Sequence, residues 1–323
     1  MPDKYSSLSS SAQIDVLKEH ALRVLGDYEM DIALIESINH EYNSTFKVVN
    51  TDGEFFALRI NVNSDRTYRN ALAEITFVNY LRLNAEINVP TPIESRAGEI
   101  VLVRFNEVTN KEMTSVLYSW LDGEEIGHDA SDENLFALGA IMAKAHIATA
   151  NFSLPKGSEL PIFTKPIWGS ENLLLSPSNP IADHVRTLYI RMLELIEAEV
   201  QRLFSQGTPQ VIHADLHGGN VMECDGELSI FDFDDSGIGF PIQDLATSIY
   251  YLDSKSGITS LKRGYESVAP LPLHDDRLLE ILLLQRRLTL MNYIYGTTTP
   301  EHREMVPKYQ DETIRRIERF LAP

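Results

Sequence analysis

Between residues 211 and 235 the chain reads VIHADLHGGNVMECDGELSIFDFDD, and no other stretch restricts fold and chemistry as much. Asp215 is followed five positions later by Asn220, with Gly218 and Gly219 between them. Two glycines let a loop turn tightly enough for both polar side chains to reach one point. The run ELSIF, with Ile230 and Phe231 apolar, reads as a short strand that carries Asp232 back to the same place, so the two motifs form a hairpin-like unit. A lone His, Asp or Asn in a loop is most often a turn former or a satisfied polar group. Here His213, Asp215, Asn220 and Asp232 come in a fixed order, and it is the set that carries information.

Moving a phosphoryl group from ATP to a hydroxyl requires a carboxylate beside the attacking oxygen, metal ions on the phosphates, and ligands for those metals. Kinases supply these from a loop written H-R-D-x-x-x-x-N and from an Asp on the following strand turn. The offset from Asp215 to Asn220 is the same, and Asp232 stands where the second carboxylate is needed.

The strings HADLHGGN and IFDFDDSGIGFPIQDLA resemble the aminoglycoside phosphotransferase family, which also holds choline kinases, type II homoserine kinases, methylthioribose kinases and the bacterial stress response kinase. The resemblance implies an α+β, bilobal protein-kinase-like fold with a β-rich N-terminal lobe and a mainly helical C-terminal lobe. It implies Asp215 as catalytic base, His213 as a supporting member of the catalytic loop, Asn220 and Asp232 as Mg2+ ligands, and Asp244 as a buried carboxylate bracing that loop. Where protein kinases have Asp-Phe-Gly, this chain has Asp232-Phe233-Asp234, which removes the glycine of a flipping switch and makes Asp234 and Asp235 further candidates for metal or substrate contact.

A kinase also needs a cation on the third strand of its N-terminal lobe and a Glu to hold it. FKVVNTDGEFFALRIN supplies two alternating strands around Asp52-Gly53, a strong hairpin signal. In the second strand, Phe56-Ala57-Leu58-Arg59 falls on the kinase V-A-I-K pattern, with Ala57 small enough to lie against adenine. Arg59 replaces the usual Lys; its planar fork can clamp phosphate or carboxylate oxygens in pairs. From Arg69 to Leu83, apolar residues recur at helical spacing, and Glu74 on that helix is the expected partner of Arg59. On the helix alone, Glu74 would read as a solvated surface residue; its distance from FALR argues for the pair.

The glycine-rich phosphate loop has no sequence counterpart. Residues 36–46, ESINHEYNSTF, lie between two expected strands and contain no glycine, so the amides of Asn43, Ser44 and Thr45 are the candidates to cap phosphates, and an ordinary hairpin loop reads as well. No G-x-x-x-x-G-K-[ST] is present, against a P-loop enzyme. MTSVLYSWLDGEEI fits the interlobe connection: Val116, Tyr118 and Trp120 are expected against adenine, although Trp120 reads equally as a core aromatic. The lobes are therefore expected at residues 1–117 (leading helix, antiparallel sheet, helix with Glu74) and 124–323, with a hinge at 118–123. On the helix ENLFALGAIMAKAHIATA, His146 reads as a packed polar residue, since no metal partner follows at the next helical turn.

At 323 residues the chain exceeds one usual domain, and 43% hydrophobic content suffices for two cores. Cys224 is the only cysteine, no signal-like stretch follows MPDKYSSLSSSAQ, and no apolar run reaches membrane-spanning length, so a cytoplasmic protein without membrane association is expected. The net charge of −19 is the wrong sign for a nucleic-acid groove. It accords with a cationic acceptor, though solubility explains such charge in most proteins.

The proline-rich residues 151–180 are long enough to serve as a binding segment, and with the helical run that follows, and helices expected over 276–295 and 312–321, they would wall an acceptor cleft. Trp168, Tyr250 and Tyr251 read either as wall residues or as core aromatics. The leading function is an ATP- and Mg2+-dependent kinase acting on a hydroxyl of a small molecule such as an aminoglycoside, amino alcohol or homoserine. A Ser/Thr protein kinase similar to the stress response kinase is the alternative, and a nucleotide-binding pseudokinase scaffold a third. The pseudokinase is disfavoured because Asp215, Asn220 and Asp232 are all present. Asp244 follows Asp232 by only twelve positions, leaving almost no room for an activation segment, which favours a small acceptor.

Overall fold

Apolar alternation of period two and apolar recurrence of period 3.6 divide the chain into a sheet-forming part and a helix-forming part. The structure, a computed structural model, describes residues 5, 7–40, 43–62, 66–177, 179, 181–297 and 300–322. Parts of the leading segment, residues 41–42 of the anticipated phosphate loop, and residues 178 and 180 of the proline-rich stretch lie outside them. The described residues form two units: one from 1–124, 153–160 and 222–234, the other from 125–152, 161–221 and 235–323.

The first unit opens with α1 (Ser10–Leu25), capped by the Ser9 hydroxyl, then β1 (Ile32–His40), β2 (Asn43–Asn50), β3 (Phe55–Asn61), α2 (Tyr68–Asn84), β4 (Leu102–Asn106) and β5 (Lys111–Ser119); the two-residue β6 (Glu124–Glu125) falls at its boundary with the second. Strands β1 to β5 make one antiparallel sheet in the order β1-β2-β3-β5-β4. Its two faces carry different chemistry. Phe46, Val48, Leu58, Ile60 and Leu117 pack with Leu17, Ala21, Val24 and Leu25 of α1. Ala57 and Val116 face the other way, against Ala71 and Ile75 of α2. Full burial stabilises each large apolar side chain by roughly 2 kcal/mol, so the sheet is held from both sides. At the Asp52-Gly53 turn, Gly53 takes φ 83° and the Asn50 side-chain oxygen accepts from the N–H groups of Asp52 and Glu54.

One expectation is corrected here. Residues 36–46 are strand over all their described positions, not an open loop: Asn43, Ser44 and Thr45 lie in β2, registered with β1 on one side and β3 on the other. The cause is the alternation that runs through the segment, which buries Ser44, Phe46 and Val48 on one side of the strand.

The second unit contains α3 (Asp132–Thr149), α4 (Asp183–Gln206), β7 (Gln210–Ile212), and, after the hairpin β8 (Val221–Cys224) and β9 (Glu227–Ile230) that falls mainly in the first unit, β10 (Gly237–Gly239), α5 (Pro241–Tyr250), α6 (Lys255–Glu266), α7 (Asp276–Gly296) and α8 (Pro300–Leu321). Strands β7 and β10 pair antiparallel. Helices α4, α7 and α8 share a core that includes Tyr189, Met192, Ile196, Leu288, Met291 and Ile317. The last helix was expected only from Glu312; it begins at Pro300 and passes through Pro307. Proline at 307 forfeits a helical hydrogen bond, but Val306 and Tyr309 on either side pack onto the α4–α7 core, and this burial overrides the breaker. Among the described residues no helix is long and apolar enough to cross a membrane.

Candidate active site

In the second unit, β7 delivers the segment His213-Ala214-Asp215 into a loop whose shape is dictated by one carboxylate. Asp244, on α5 and 2% exposed, accepts the His213 N–H at 3.0 Å on one oxygen and the Ala214 N–H at 2.6 Å on the other. The Nε2 of His146 lies 3.0 Å from the same Asp244, and its Nδ1 lies 2.9 Å from the Tyr265 hydroxyl. Thus the brace implied for Asp244 is present, and His146 is a packed polar residue that supports it. Ala214 is held at φ 69°, a left-handed conformation costly for a residue with a Cβ.

Asn220 follows in a short 3-10 turn, and its Nδ2 donates to the Asp215 carbonyl at 2.8 Å, so the loop is closed by the two residues singled out in the sequence. Gly218 is required by proximity: a Cβ there would stand 2.0 Å from the Gly127 carbonyl oxygen.

The sequence reading missed Arg286. This residue of α7 is buried, and its Nη2 donates both to Asp215 Oδ1 and, at 2.6 Å, to the Tyr251 hydroxyl. Its guanidinium carbon lies 5.4 Å from the Tyr251 ring centre and 5.6 Å from that of Trp168. His217 stacks on Tyr251 at 4.1 Å and brings Nε2 to 3.6 Å from Asp215 Oδ1. Burial alone would raise the Asp215 carboxyl; the Arg286 charge, then the nearby His217 and the charge of His213, outweigh it and hold the group below the usual carboxylate range. Burial pushes the Tyr251 phenol up to about 12 despite Arg286. The available signal was the pair Arg286-Arg287 inside the apolar helix LLLQRRLTLM, since arginine is almost never buried unless paired. Trp168 and Tyr251 thus lie near Asp215, whereas the Tyr250 hydroxyl meets Tyr309 at 2.5 Å and Arg287 at 3.2 Å.

In the first unit, Arg59 of β3 and Glu74 of α2 meet at 2.5 Å with side chains 10% and 7% exposed. The Tyr118 hydroxyl donates to the other Glu74 oxygen at 3.1 Å. Burial alone would lower the Arg59 guanidinium; the Glu74 charge more than offsets it, so the cation is locked on. Among the described residues the buried Nε of Arg59 has no hydrogen-bond partner. Asp232 sits at φ 64°, and Phe233 beside it packs edge-on against Phe77 of α2 at 5.5 Å. Asp234 accepts from Asn43 Nδ2 at 2.6 Å. Trp120, just past β5, and Phe55 both lie against the Lys47 ammonium, at 4.7 and 4.6 Å.

A profile of the phosphotransferase enzyme family, the aminoglycoside phosphotransferase type, matches residues 35–321. The chain belongs to that family. Its relatives are kinases. Amicoumacin kinase of Bacillus subtilis (strain 168) is 26% identical over 204 residues, which span 62% of this chain and 57% of that kinase, little more than half its length. Among solved structures, a microcompartment-associated aminopropanol kinase superposes with a TM-score of 0.77 at 20% identity, covering 94% of this chain and 97% of that one. An amicoumacin kinase in complex with AMP-PNP, Ca2+ and its ligand Ami superposes at 0.73 and 18% identity, covering 92% of both chains. At these identities the structures show the fold: an antiparallel sheet in the N-terminal region and a helical C-terminal region.

For a phosphotransferase, the donors present suit a hard cation and an anionic nucleotide. No group of three or more His, Cys, Asp or Glu able to hold a metal occurs among the described residues, so a cage built by protein alone is absent. Magnesium is usually bound by one or two protein oxygens plus substrate phosphates and water. Within the second unit, Nδ2 of Asn220 is committed to the Asp215 carbonyl and its amide oxygen is left for such a role; within the first, Asp232 carries a carboxylate. The Arg59 Nε–H, unpartnered among the described residues, is a donor fit for a phosphate oxygen.

Proposed function

We propose that this phosphotransferase moves the γ-phosphoryl group of ATP to a hydroxyl of a small, amine-bearing molecule, with Mg2+ as cofactor. The observation that carries the reading is Asp215: on a loop braced by Asp244, its carboxylate is held at Oδ1 by Arg286. In this reading the acceptor hydroxyl gives its proton to Oδ2 as its oxygen bonds to phosphorus. The bond between that phosphorus and the bridging oxygen breaks, and ADP leaves with the electron pair. Arg59, fixed by Glu74, holds phosphate oxygens; Ala57, Val116, Tyr118 and Trp120 line the adenine side; residues 118–123 act as the hinge between lobes 1–117 and 124–323. Asn220 and Asp232 would hold Mg2+, which when bound neutralises charge on the phosphates.

The named relatives act on amicoumacin and aminopropanol, both of which favour an amine-bearing acceptor here. A protein acceptor has less support, because a 3-10 turn, β10 and the first turn of α5 take up nearly all of the eleven residues between Asp232 and Asp244. The test is ATP consumption with Mg2+ against 1-amino-2-propanol, other amino alcohols, aminoglycosides, homoserine, choline and a generic protein substrate. We expect turnover with an amine-bearing alcohol, and its loss in Asp215→Asn with Mg-ATP affinity retained. Full turnover in that variant removes Asp215 from its role.

A further inference from the structure

We propose that Arg286 is a positioning residue for phosphoryl transfer: it fixes the Asp215 carboxylate so that one oxygen is occupied and the other is presented to the acceptor. The inference rests on Asp215 being the base and adds how that base is aimed.

A free aspartate rotates about two side-chain bonds and offers either oxygen. Here Arg286 Nη2 donates to Oδ1, and His217 Nε2 approaches the same oxygen at 3.6 Å. The guanidinium is itself immobile, bonded to the Tyr251 hydroxyl at 2.6 Å and set beside the rings of Tyr251 and Trp168. With its side chain 5% exposed it cannot leave Asp215 for water without a large desolvation cost, because a buried charge without its partner is strongly unfavourable.

The adjacent Arg287 shows what a purely architectural arginine looks like in the same helix turn. Its Nε donates to Thr313 Oγ1 at 2.9 Å, its Nη2 to the Tyr309 carbonyl at 3.0 Å, and its guanidinium carbon lies 4.0 Å from the Tyr309 ring centre. These bonds tie α7 to α8. Those of Arg286 run to the catalytic loop and to the tyrosine stacked on His217. Two buried guanidinium groups thus have separate duties, and only one touches Asp215.

The experiment measures Mg-ATP hydrolysis with water as acceptor, which needs no identified substrate, in Arg286→Met, Arg286→Lys, Arg287→Met and Asp215→Asn. A carboxylate that has lost its orientation is misplaced by about 1 Å, so Arg286→Met is expected to lower kcat on the order of a hundred-fold with KM for ATP unchanged. Arg286→Lys is expected to recover part of the loss, and millimolar guanidinium to restore part of it in Arg286→Met. Arg287→Met is expected to lower the melting temperature and leave kcat per folded molecule at the wild-type value. A wild-type kcat in folded Arg286→Met, or a loss confined to KM, overturns the inference. Should Arg286→Met fail to fold, Tyr251→Phe keeps the ring and removes one hydroxyl; it is expected to lower kcat by up to about ten-fold, and no change there is equally fatal. Turnover surviving in Asp215→Asn defeats the base assignment itself, whereas an inactive Asp215→Asn beside an active Arg286→Met defeats only the role of Arg286.

Discussion

The Asp244 carboxylate accepts a 2.6 Å hydrogen bond from the backbone N–H of Ala214, a residue held at φ 69° one position before Asp215. Backbone in this region costs of order 1–3 kcal/mol for a residue with a side chain and persists only where the surroundings impose it. Asp244 is what imposes it, because its other oxygen takes the neighbouring His213 N–H. Asp244→Asn replaces one acceptor oxygen by a donor facing an N–H group, and we expect kcat to fall on the order of a hundred-fold and the melting temperature to drop. Ala214→Gly accepts the same φ without strain, so it should keep activity and recover part of the stability lost in Asp244→Asn. Equal stability of the single and double variants would show that Ala214 stores no strain.

The pair Arg59–Glu74 leads to a prediction about both binding and folding. Arg59→Met removes the guanidinium proposed to hold phosphate oxygens, and the loss of charge-assisted hydrogen bonds is expected to weaken Mg-ATP binding by about ten- to hundred-fold, measurable by calorimetry. The same change strands a Glu74 side chain that is 7% exposed, which costs about 3 kcal/mol or more. Adding Glu74→Gln should return much of the stability but none of the affinity.

What was legible in the sequence is what local spacing encodes. Asp215, Asn220 and Asp244 lie within 30 residues of one another, and the Asp52-Gly53 hairpin and the helix bearing Glu74 follow from turn chemistry and periodicity. The strand nature of Asn43 to Thr45 was masked by expecting a loop where kinases have one, although the alternation through Phe46 and Val48 already argued for strand. Arg286 was not legible because its partner is 71 positions away, and contacts across that distance are set by how α7 packs, not by any local pattern. The full length of α8 was hidden by Pro307, which reads as a stop until the core it packs against is known.

Glycines 139 and 264 let α3 and α6 touch backbone to backbone. A Cβ on Gly264 would stand 1.8 Å from the Phe136 carbonyl oxygen, and one on Gly139 would stand 2.0 Å from that of Leu261. Tyr265, next to Gly264, holds His146, which holds Asp244. Gly264→Ala should therefore destabilise by about 1–3 kcal/mol through overpacking. It should also lower kcat, since spreading the helices draws Tyr265 from His146. A drop in melting temperature with kcat intact would mean that α6 packing does not reach the loop bearing Asp215.

His20 on α1 sets a limit on acid tolerance in the first unit. Its ring is fully buried, and among the described residues neither nitrogen has a hydrogen-bond partner. Burial first, then the charges of Arg23 and Arg104, lower its pKa from the ordinary 6.5 to about 4. Between those values the unfolded chain binds a proton that the folded chain refuses, so acidification favours unfolding. The stability conferred by a neutral His20 is complete above pH 6.5 and is lost as the pH falls toward about 4. In His20→Leu this contribution is gone. The melting temperature of the variant relative to wild type should rise steadily as the buffer is taken from neutral into that window, and a difference independent of pH would show that His20 is not the group being protonated.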